Sequence, residues 1–476
     1  MSEHNPPRVA IVGGGIAGLA ACWELARLKP DCEITLFEAN SHFGGALRTE
    51  SSNGFLIEHS ADMFLGEPDA AVRLCQDVGL GDELIQPNAK QRFSYVVHRG
   101  KLERIPTGFA LMSPNRILPV LQSPILSWHG KLRFLMEWFA KRPSQDSDES
   151  LRSFAVRHFG REVFERLIQP LVAGIYSAKA EELSIQATLD RFVKMESEHG
   201  SLIRAARAAK SNVESAGARY GLFFAPKRGL QSLVDALLGR LQTNKNVRLV
   251  DSTAVEELNR GGESWTLTVR GQEEPFDGVV LATKASVSST LLADASQAVS
   301  SQLDTLRFGS LVVVAIATSH DNFSTGPPVG FGFVVPKIEQ RDIIAGSFSS
   351  NKFPGRAPER KLLLRCFFGG DQVERWCESS NEDLIAVANR ELEQLIGFRA
   401  DPTSDQYRVF RWRDCMPQYQ VGHLDKIASL DRAVSELKCL ALAGSSYTGV
   451  GIPACIESGA SAASRIAAQI RTALSW

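Results

Sequence analysis

Val9-Ala-Ile-Val-Gly-Gly-Gly-Ile-Ala-Gly-Leu-Ala20, with Glu33-Ile-Thr-Leu-Phe-Glu38 following it, decides how the chain is read. Val9 to Val12 is a short apolar run that opens onto Gly13-x-Gly15-x-x-Gly18, and Leu19 to Ala26 has helical composition. The order is strand, glycine turn, helix. Gly13 permits the tight turn, Gly15 lets backbone approach a pyrophosphate, and Gly18 lets helix and strand pack closely. The helix start supplies free N–H groups and a positive dipole for phosphate. Glu38 closes the second strand twenty residues after Gly18, where a carboxylate accepts from ribose hydroxyls and opposes a 2′-phosphate. A dinucleotide-binding α/β unit is therefore expected at the start of the chain.

The chain has 476 residues, enough for two or three folding units, and 44% apolar with 22% charged residues is ordinary globular composition. Lys+Arg 53 against Asp+Glu 54 gives a net charge of -1, so no nucleic-acid partner is expected. The eight cysteines show no C-x-x-C and no metal-ligand spacing, which reads as reduced thiols in a cytoplasmic protein without a metal. The longest apolar run, Leu311 to Ala317, is far short of the roughly 20 residues that span a bilayer. The polar opening MSEHNPPR has the character of neither a secretory signal nor a transit peptide.

Gly44-Gly45-Ala46-Leu47-Arg48-Thr49 resembles the second glycine pair and arginine of the large two-domain flavoprotein family that includes amine oxidases, phytoene desaturases and protoporphyrinogen oxidases. The resemblance makes FAD the expected cofactor. Later blocks narrow it. Arg166-Leu-Ile-Gln-Pro-Leu-Val-Ala-Gly174-Ile-Tyr-Ser-Ala178 with Glu182-Leu-Ser184, Phe353-Pro-Gly-Arg-Ala-Pro358, Arg411-Trp-Arg-Asp-Cys-Met-Pro-Gln-Tyr419 with Gly422-His423, and Tyr447-Thr-Gly-Val-Gly-Ile-Pro-Ala-Cys-Ile456 are similar, in order and spacing, to the protoporphyrinogen oxidase family.

The expected fold is α/β: a Rossmann-like FAD domain built from residues 1–75, 222–300 and 425–476. An α+β substrate domain (76–105 with 301–424) and a mostly helical insertion (106–221) complete it. Phe109 to Met112, Ile117 to Leu121, Ile125 to Trp128 and Phe134 to Phe139 are apolar clusters broken by Pro114, Pro119 and Pro124, and suggest contact with a membrane surface. Pro143 to Ser150 reads as a polar loop, and Arg204, Arg207 and Lys210 as a basic strip suited to lipid or to a solvated helix face. Peripheral contact with the cytoplasmic membrane and a homodimer are left open.

The resemblance implies six-electron oxidation of a porphyrinogen by hydride transfer to flavin, with molecular oxygen reoxidising the flavin to release hydrogen peroxide. Protoporphyrinogen IX is the first substrate, coproporphyrinogen III the alternative; a flavin amine oxidase, a carotenoid desaturase and a non-catalytic tetrapyrrole carrier are more distant. The cofactor set is Gly13, Gly14, Gly15, Ile16, Ala17, Gly18, Glu38, Ala39, Gly44, Gly45, Ala46, Leu47, Arg48, Val255, Gly444, Gly451, Ile452 and Pro453. A helix from Pro453 would aim its N-terminal dipole at charge developing on the flavin. On the substrate side, Arg92 is the propionate partner, Gly174 offers backbone near the reacting ring, Phe353 and Val334 wall the macrocycle, and Asp62 has a polar role in the pocket. Ser60-Ala61, Thr283-Lys284 and Gly444-Ser445 depart from the family's usual pattern at these places.

Overall fold

The strands Val247–Val250, Glu33–Phe37, Arg8–Val12, Gly278–Leu281 and Leu440–Leu442 lie side by side in that order, all parallel. They are short and almost wholly apolar, as strands covered on both faces must be. The strand order reverses beside Arg8–Val12, and such a switch point leaves a crevice at the carboxyl ends of the strands. The computed structural model describes residues 6–141, 147–176, 179–208, 223–262 and 264–470.

The helices Ile16–Leu28 and Ile452–Gln469 cross on one face of this sheet. A Cβ on Gly459 would overlap the carbonyl of Ala17 and crowd the amide of Ala21, so the crossing exists because residue 459 has no side chain. The antiparallel strands Val255–Gly261, Ser264–Val269 and Gln272–Phe276 cover the other face through Trp265 and Phe276.

A second sheet of seven strands runs in the order Gln406–Gln418, Arg307–Ser319, Lys361–Phe368, Ala345–Phe348, Gly332–Val334, Tyr95–His98 and Lys101–Arg104. Its pairings are antiparallel except that of Gly332–Val334 with Tyr95–His98. The apolar run Leu311 to Ala317 is a central strand here, buried from Val312 onward.

Between the two sheets in sequence, the helices Trp128–Met136, Leu151–Phe159, Gln169–Tyr176, Ile185–His199 and Leu202–Ala208 share one core. Pro170, which has no N–H to donate, follows a π-helical turn at Phe164–Ile168. The expectation that Phe109 to Met112 faces lipid is corrected: Phe109, Leu111 and Met112 are buried in this core. Of the basic strip, Arg204 is half-buried and Arg207 exposed. Arg204 donates to the carbonyls of Trp138 (2.6 Å) and Ala140 (3.0 Å), and the Arg207 guanidinium lies 5.2 Å from the Trp138 ring centroid. Lys210, residues 143–146 of the Pro143 to Ser150 loop, Ser177, Ala178 and the first five residues lie outside the described residues. No helix among the described residues is long and apolar enough to cross a membrane.

A buried charge network closes the helical core. His158 Nδ1 meets Glu137 at 2.9 Å and Nε2 meets Glu196 at 3.0 Å. A carboxylate at each ring nitrogen requires both to carry protons. Burial alone would lower the imidazole's pKa, but these two partners outweigh it and raise it. Burial opposes ionisation of Glu196 as well, yet His158 and Arg157 draw it down to about 2. The other carboxylate caps the helix Leu202–Ala208, taking the amides of Leu202 and Ile203 and the Ser201 hydroxyl.

A histidine raised by folding stabilises fully below its unfolded value, near about 6.5, and ceases to do so as pH rises through its folded value. Stability from Glu196 is present above the ordinary carboxylate range and is lost only as pH falls toward about 2. Denaturant midpoints are therefore expected to decline from pH 6 to pH 9. His158→Gln should begin about 3–5 kcal/mol lower and lose that decline. A wild-type midpoint that does not change over this interval contradicts the assignment.

Candidate flavin-binding site

Three glycine turns converge at the carboxyl ends of the parallel strands. In the first, Gly13 has φ +105 and donates its amide to the Phe37 carbonyl at 2.8 Å, while a Cβ at Gly18 would overlap the Gly13 carbonyl. Gly15 caps the helix Ile16–Leu28 with no side-chain acceptor, and a Cβ there would meet nothing within 4 Å. Its open face beside uncapped helical amides suits an anion. Ile16 and Ala17 are buried in the helix's first turn.

The second turn, Gly44 to Arg48, lies against the first. Gly44 donates to the Gly14 carbonyl at 2.8 Å, and a Cβ on Gly45 would come within 3.2 Å of Gly15 Cα. Leu47 is buried and anchors this turn; Gly45, Ala46 and Arg48 are exposed. Glu38 is buried between the two turns, its Oε2 accepting the Gly14 amide at 2.7 Å and its Oε1 the Asn40 amide at 2.9 Å. Ala39, next to it, is exposed. Thr253 donates to the Glu38 carbonyl at 2.9 Å, which places Val255 on the strand leading away from that corner.

The third turn leads from Gly444 (φ +120, open space where a Cβ would be) to Gly451, which caps Ile452–Gln469 with Pro453 in its first turn and no side-chain acceptor. Ile452 and Pro453 are buried behind that helix end. Its loop is held from outside. Tyr419 Oη donates to the Ser445 carbonyl, the Tyr419 ring stacks on His423 at 4.1 Å, and His423 Nε2 lies 2.8 Å from the Tyr447 carbonyl. The Trp412 indole donates to the His59 carbonyl at 2.9 Å.

The substrate-side residues gather less completely. Gly174 and Val334 come together: a Cβ on Gly174 would lie 3.9 Å from Val334 Cγ1. A cleft of about 770 Å³ opens against their neighbours Ala173 and Val335, lined also by Arg307, Phe308, Lys337 and Trp376; no cradle glycine lines it. Arg92 is half-buried and folded back, with Nε and Nη2 donating to the Pro87 carbonyl at 3.2 and 3.1 Å. Phe353 is buried beneath the Arg356 guanidinium, 5.6 Å from its ring centroid, and so supports the site from behind instead of lining an open wall. Asp62, its side chain 11% exposed, is ion-paired with Lys352 at 3.0 Å, and Arg365 lies 4.0 Å away.

A buried group of charges around Asp62 went unread in the sequence. Arg356 and Arg365 are 1% and 3% exposed. Glu58 lies 4.0 Å from Arg356 and accepts from Thr49 Oγ1 at 2.7 Å and the Leu230 amide at 2.9 Å. One signal was available: Arg365 interrupts Leu362-Leu-Leu-Arg-Cys-Phe-Phe368, and an arginine inside such a run is rarely buried without an ionic partner.

The family model for flavin containing amine oxidoreductases matches residues 16–467. The chain belongs to this family. As an amine oxidoreductase-family flavoenzyme it is 30% identical to the coproporphyrinogen III oxidase of Staphylococcus aureus, over 97% of this chain and 99% of the relative. It is 28% identical to protoporphyrinogen oxidase 2 of Arabidopsis thaliana, over 96% and 93%. A crystal structure from Exiguobacterium sp. 255-15, provisionally named a protoporphyrinogen oxidase, superposes with a TM-score of 0.86 at 28% identity, covering 99% of this chain and all of that one.

FAD is this flavoenzyme's cofactor, and the residues present fit it: an acid buried between two glycine turns, two uncapped helix starts and open space at Gly15 and Gly444. Because a Cβ at residue 15 meets nothing within 4 Å, Gly15→Val should leave the apoprotein's melting unchanged, and the expected outcome for a pyrophosphate site is loss of FAD retention. Glu38→Ala should weaken FAD binding by about ten- to a hundredfold, for roughly 1.5–3 kcal/mol of charge-assisted hydrogen bonding. Fluorescence titration of apoprotein with FAD measures both, and wild-type affinity in either variant would remove that residue from the site.

Proposed function

We propose that this flavoenzyme oxidises a porphyrinogen to a porphyrin, with oxygen as the final acceptor. The observation that carries the reading is the near full-length likeness to both kinds of porphyrinogen oxidase, including the blocks that brace the third glycine turn. Coproporphyrinogen III takes precedence over protoporphyrinogen IX, because the coproporphyrinogen III oxidases of S. aureus, Bacillus subtilis and Propionibacterium freudenreichii are 30–32% identical over 94–97% of the chain. The bound flavin supplies a two-electron acceptor for hydride. The polypeptide binds and orients the macrocycle. The Gly174–Val334 contact gives it a close-fitting wall, and the cleft beside it is within the size range of pockets that enclose small-molecule ligands. Arg92 is the propionate partner, turning its guanidinium from Pro87 to the carboxylate, and Asp62, already paired with Lys352, keeps the neighbouring wall charged and dry.

For peripheral membrane contact, only part of the surface the sequence suggested faces outward. Trp128, Leu132, Met136 and Phe139 follow one another on the outer face of the helix Trp128–Met136 and the turn after it, 83%, 62%, 57% and 78% exposed. That spacing keeps them on one stripe. Lys131 and the exposed Lys141 flank it, a cationic border complementary to anionic headgroups.

Anaerobic mixing with coproporphyrinogen III should bleach the flavin absorbance faster than mixing with protoporphyrinogen IX; no bleaching by either excludes the reading. Arg92→Lys should raise KM and Arg92→Ala should raise it more, by about ten- to a hundredfold with kcat nearly kept. On anionic liposomes the wild type should float and Trp128→Ser/Phe139→Ser should remain in the lower fractions while retaining wild-type stability. Flotation of both, or of neither, would overturn the membrane contact.

A further inference from the structure

The cluster beside the second glycine turn has a charge imbalance. Lys352, Arg356 and Arg365 are opposed by Glu58 and Asp62, so three cations against two carboxylates leave one positive charge in excess at a largely buried junction. The surroundings do not cancel it. Arg48 is adjacent, Glu50 is matched by Arg408 at 2.8 Å, and His59 is held neutral, its pKa lowered by burial and by Arg48 to about 4. Nε of Arg356 and Nε of Arg365 are buried without a hydrogen-bond partner among the described residues. Burial opposes the charge on Asp62, but Lys352 and Arg365 hold its carboxyl below the usual range, so the anion is fixed and the imbalance is permanent.

The cluster is tied to the flavin cradle at short range. Ser60 Oγ donates to the Ala46 carbonyl, the His59 amide donates to the Arg48 carbonyl at 2.9 Å, and Arg365 Nη2 donates to the Ser60 carbonyl. Ala46 and Arg48 belong to the turn that rests on Gly14 and Gly15. Thus the chain from Gly44 to Asp62 carries the cradle at one end and the charge cluster at the other, with backbone contacts between them.

We propose that the Lys352–Asp62–Arg365–Arg356–Glu58 cluster is an electrostatic site for the reduced flavin, its excess positive charge setting the cofactor's reduction potential. Uptake of hydride, two electrons with one proton, makes the cofactor one unit more negative, and a fixed positive field in a low-dielectric interior favours the reduced form. Oxidised flavin gains less from the same field. The inference rests on FAD alone and holds whatever the substrate, so its failure and the failure of the porphyrinogen reading are separate results.

The test is the two-electron midpoint potential of the FAD-loaded protein, titrated against a dye of known potential. Removing a cation and removing an anion must act in opposite directions. Lys352→Met should favour oxidised over reduced FAD by about tenfold, which is about 30 mV downward for a two-electron couple. Asp62→Asn should move the potential upward by a similar amount. Lys352→Arg keeps the charge and the wild-type potential, and Lys194→Met, which removes an exposed cation on the helix Ile185–His199, should also leave it unchanged. A merely structural pair would give no shift or shifts of one sign, and either result overturns the proposal. If Lys352→Met fails to fold, the upward shift in Asp62→Asn still decides it, since that variant is nearly isosteric.

Discussion

The contact between the helices Ile16–Leu28 and Ile452–Gln469 is the constraint on which the cradle depends. Their backbones approach so closely at Gly459 and Ala17 that no side chain fits between them. This crossing fixes two helix starts, Gly15 and Gly451, at the carboxyl end of one sheet, each with unsatisfied amides and no side-chain cap. A single helix start is a weak anion site. Two held at a fixed separation define a ligand long enough to span them, and the crossing sets that separation.

Everything outside the parallel sheet is arranged to hold these turns from a distance. Trp412, Tyr419 and His423, at the end of the long strand Gln406–Gln418 and just beyond it, reach the His59, Ser445 and Tyr447 carbonyls. The edge of the second sheet thus clamps the third glycine turn and the segment that follows the second. That explains why a motif far from the glycines marks the subfamily: its residues are structural partners of the cofactor loop, and a loop needs its braces to keep its shape.

Much of this was legible in the sequence because it depends on short-range rules. Gly13, Gly15, Gly18 and Glu38 sit where strand, turn and helix periodicity put them, and the five parallel strands are short apolar runs between breakers. The substrate side was less legible. Phe353 reads as a wall residue by its motif, yet it lies beneath Arg356; Arg92 is turned onto its own loop. Phe109 to Met112 and Phe134 to Phe139 both read as apolar clusters, and only packing decides that Phe109, Met112 and Phe134 are core while Met136 and Phe139 face outward. The Asp62 cluster joins residues roughly 300 positions apart, and no local pattern pairs Asp62 with Lys352 or Arg365.

The crossing at Gly459 also has a temporal meaning. The two helices of the pair lie far apart along the chain, so a nascent chain holds Gly13 to Glu38 long before it holds Gly451. Domains generally fold as units during synthesis, but this one must wait with an exposed helix face until its closing segment arrives. Enclosure of the flavin between the two helix starts is thereby a late event in biogenesis, since it waits for the second helix to be made.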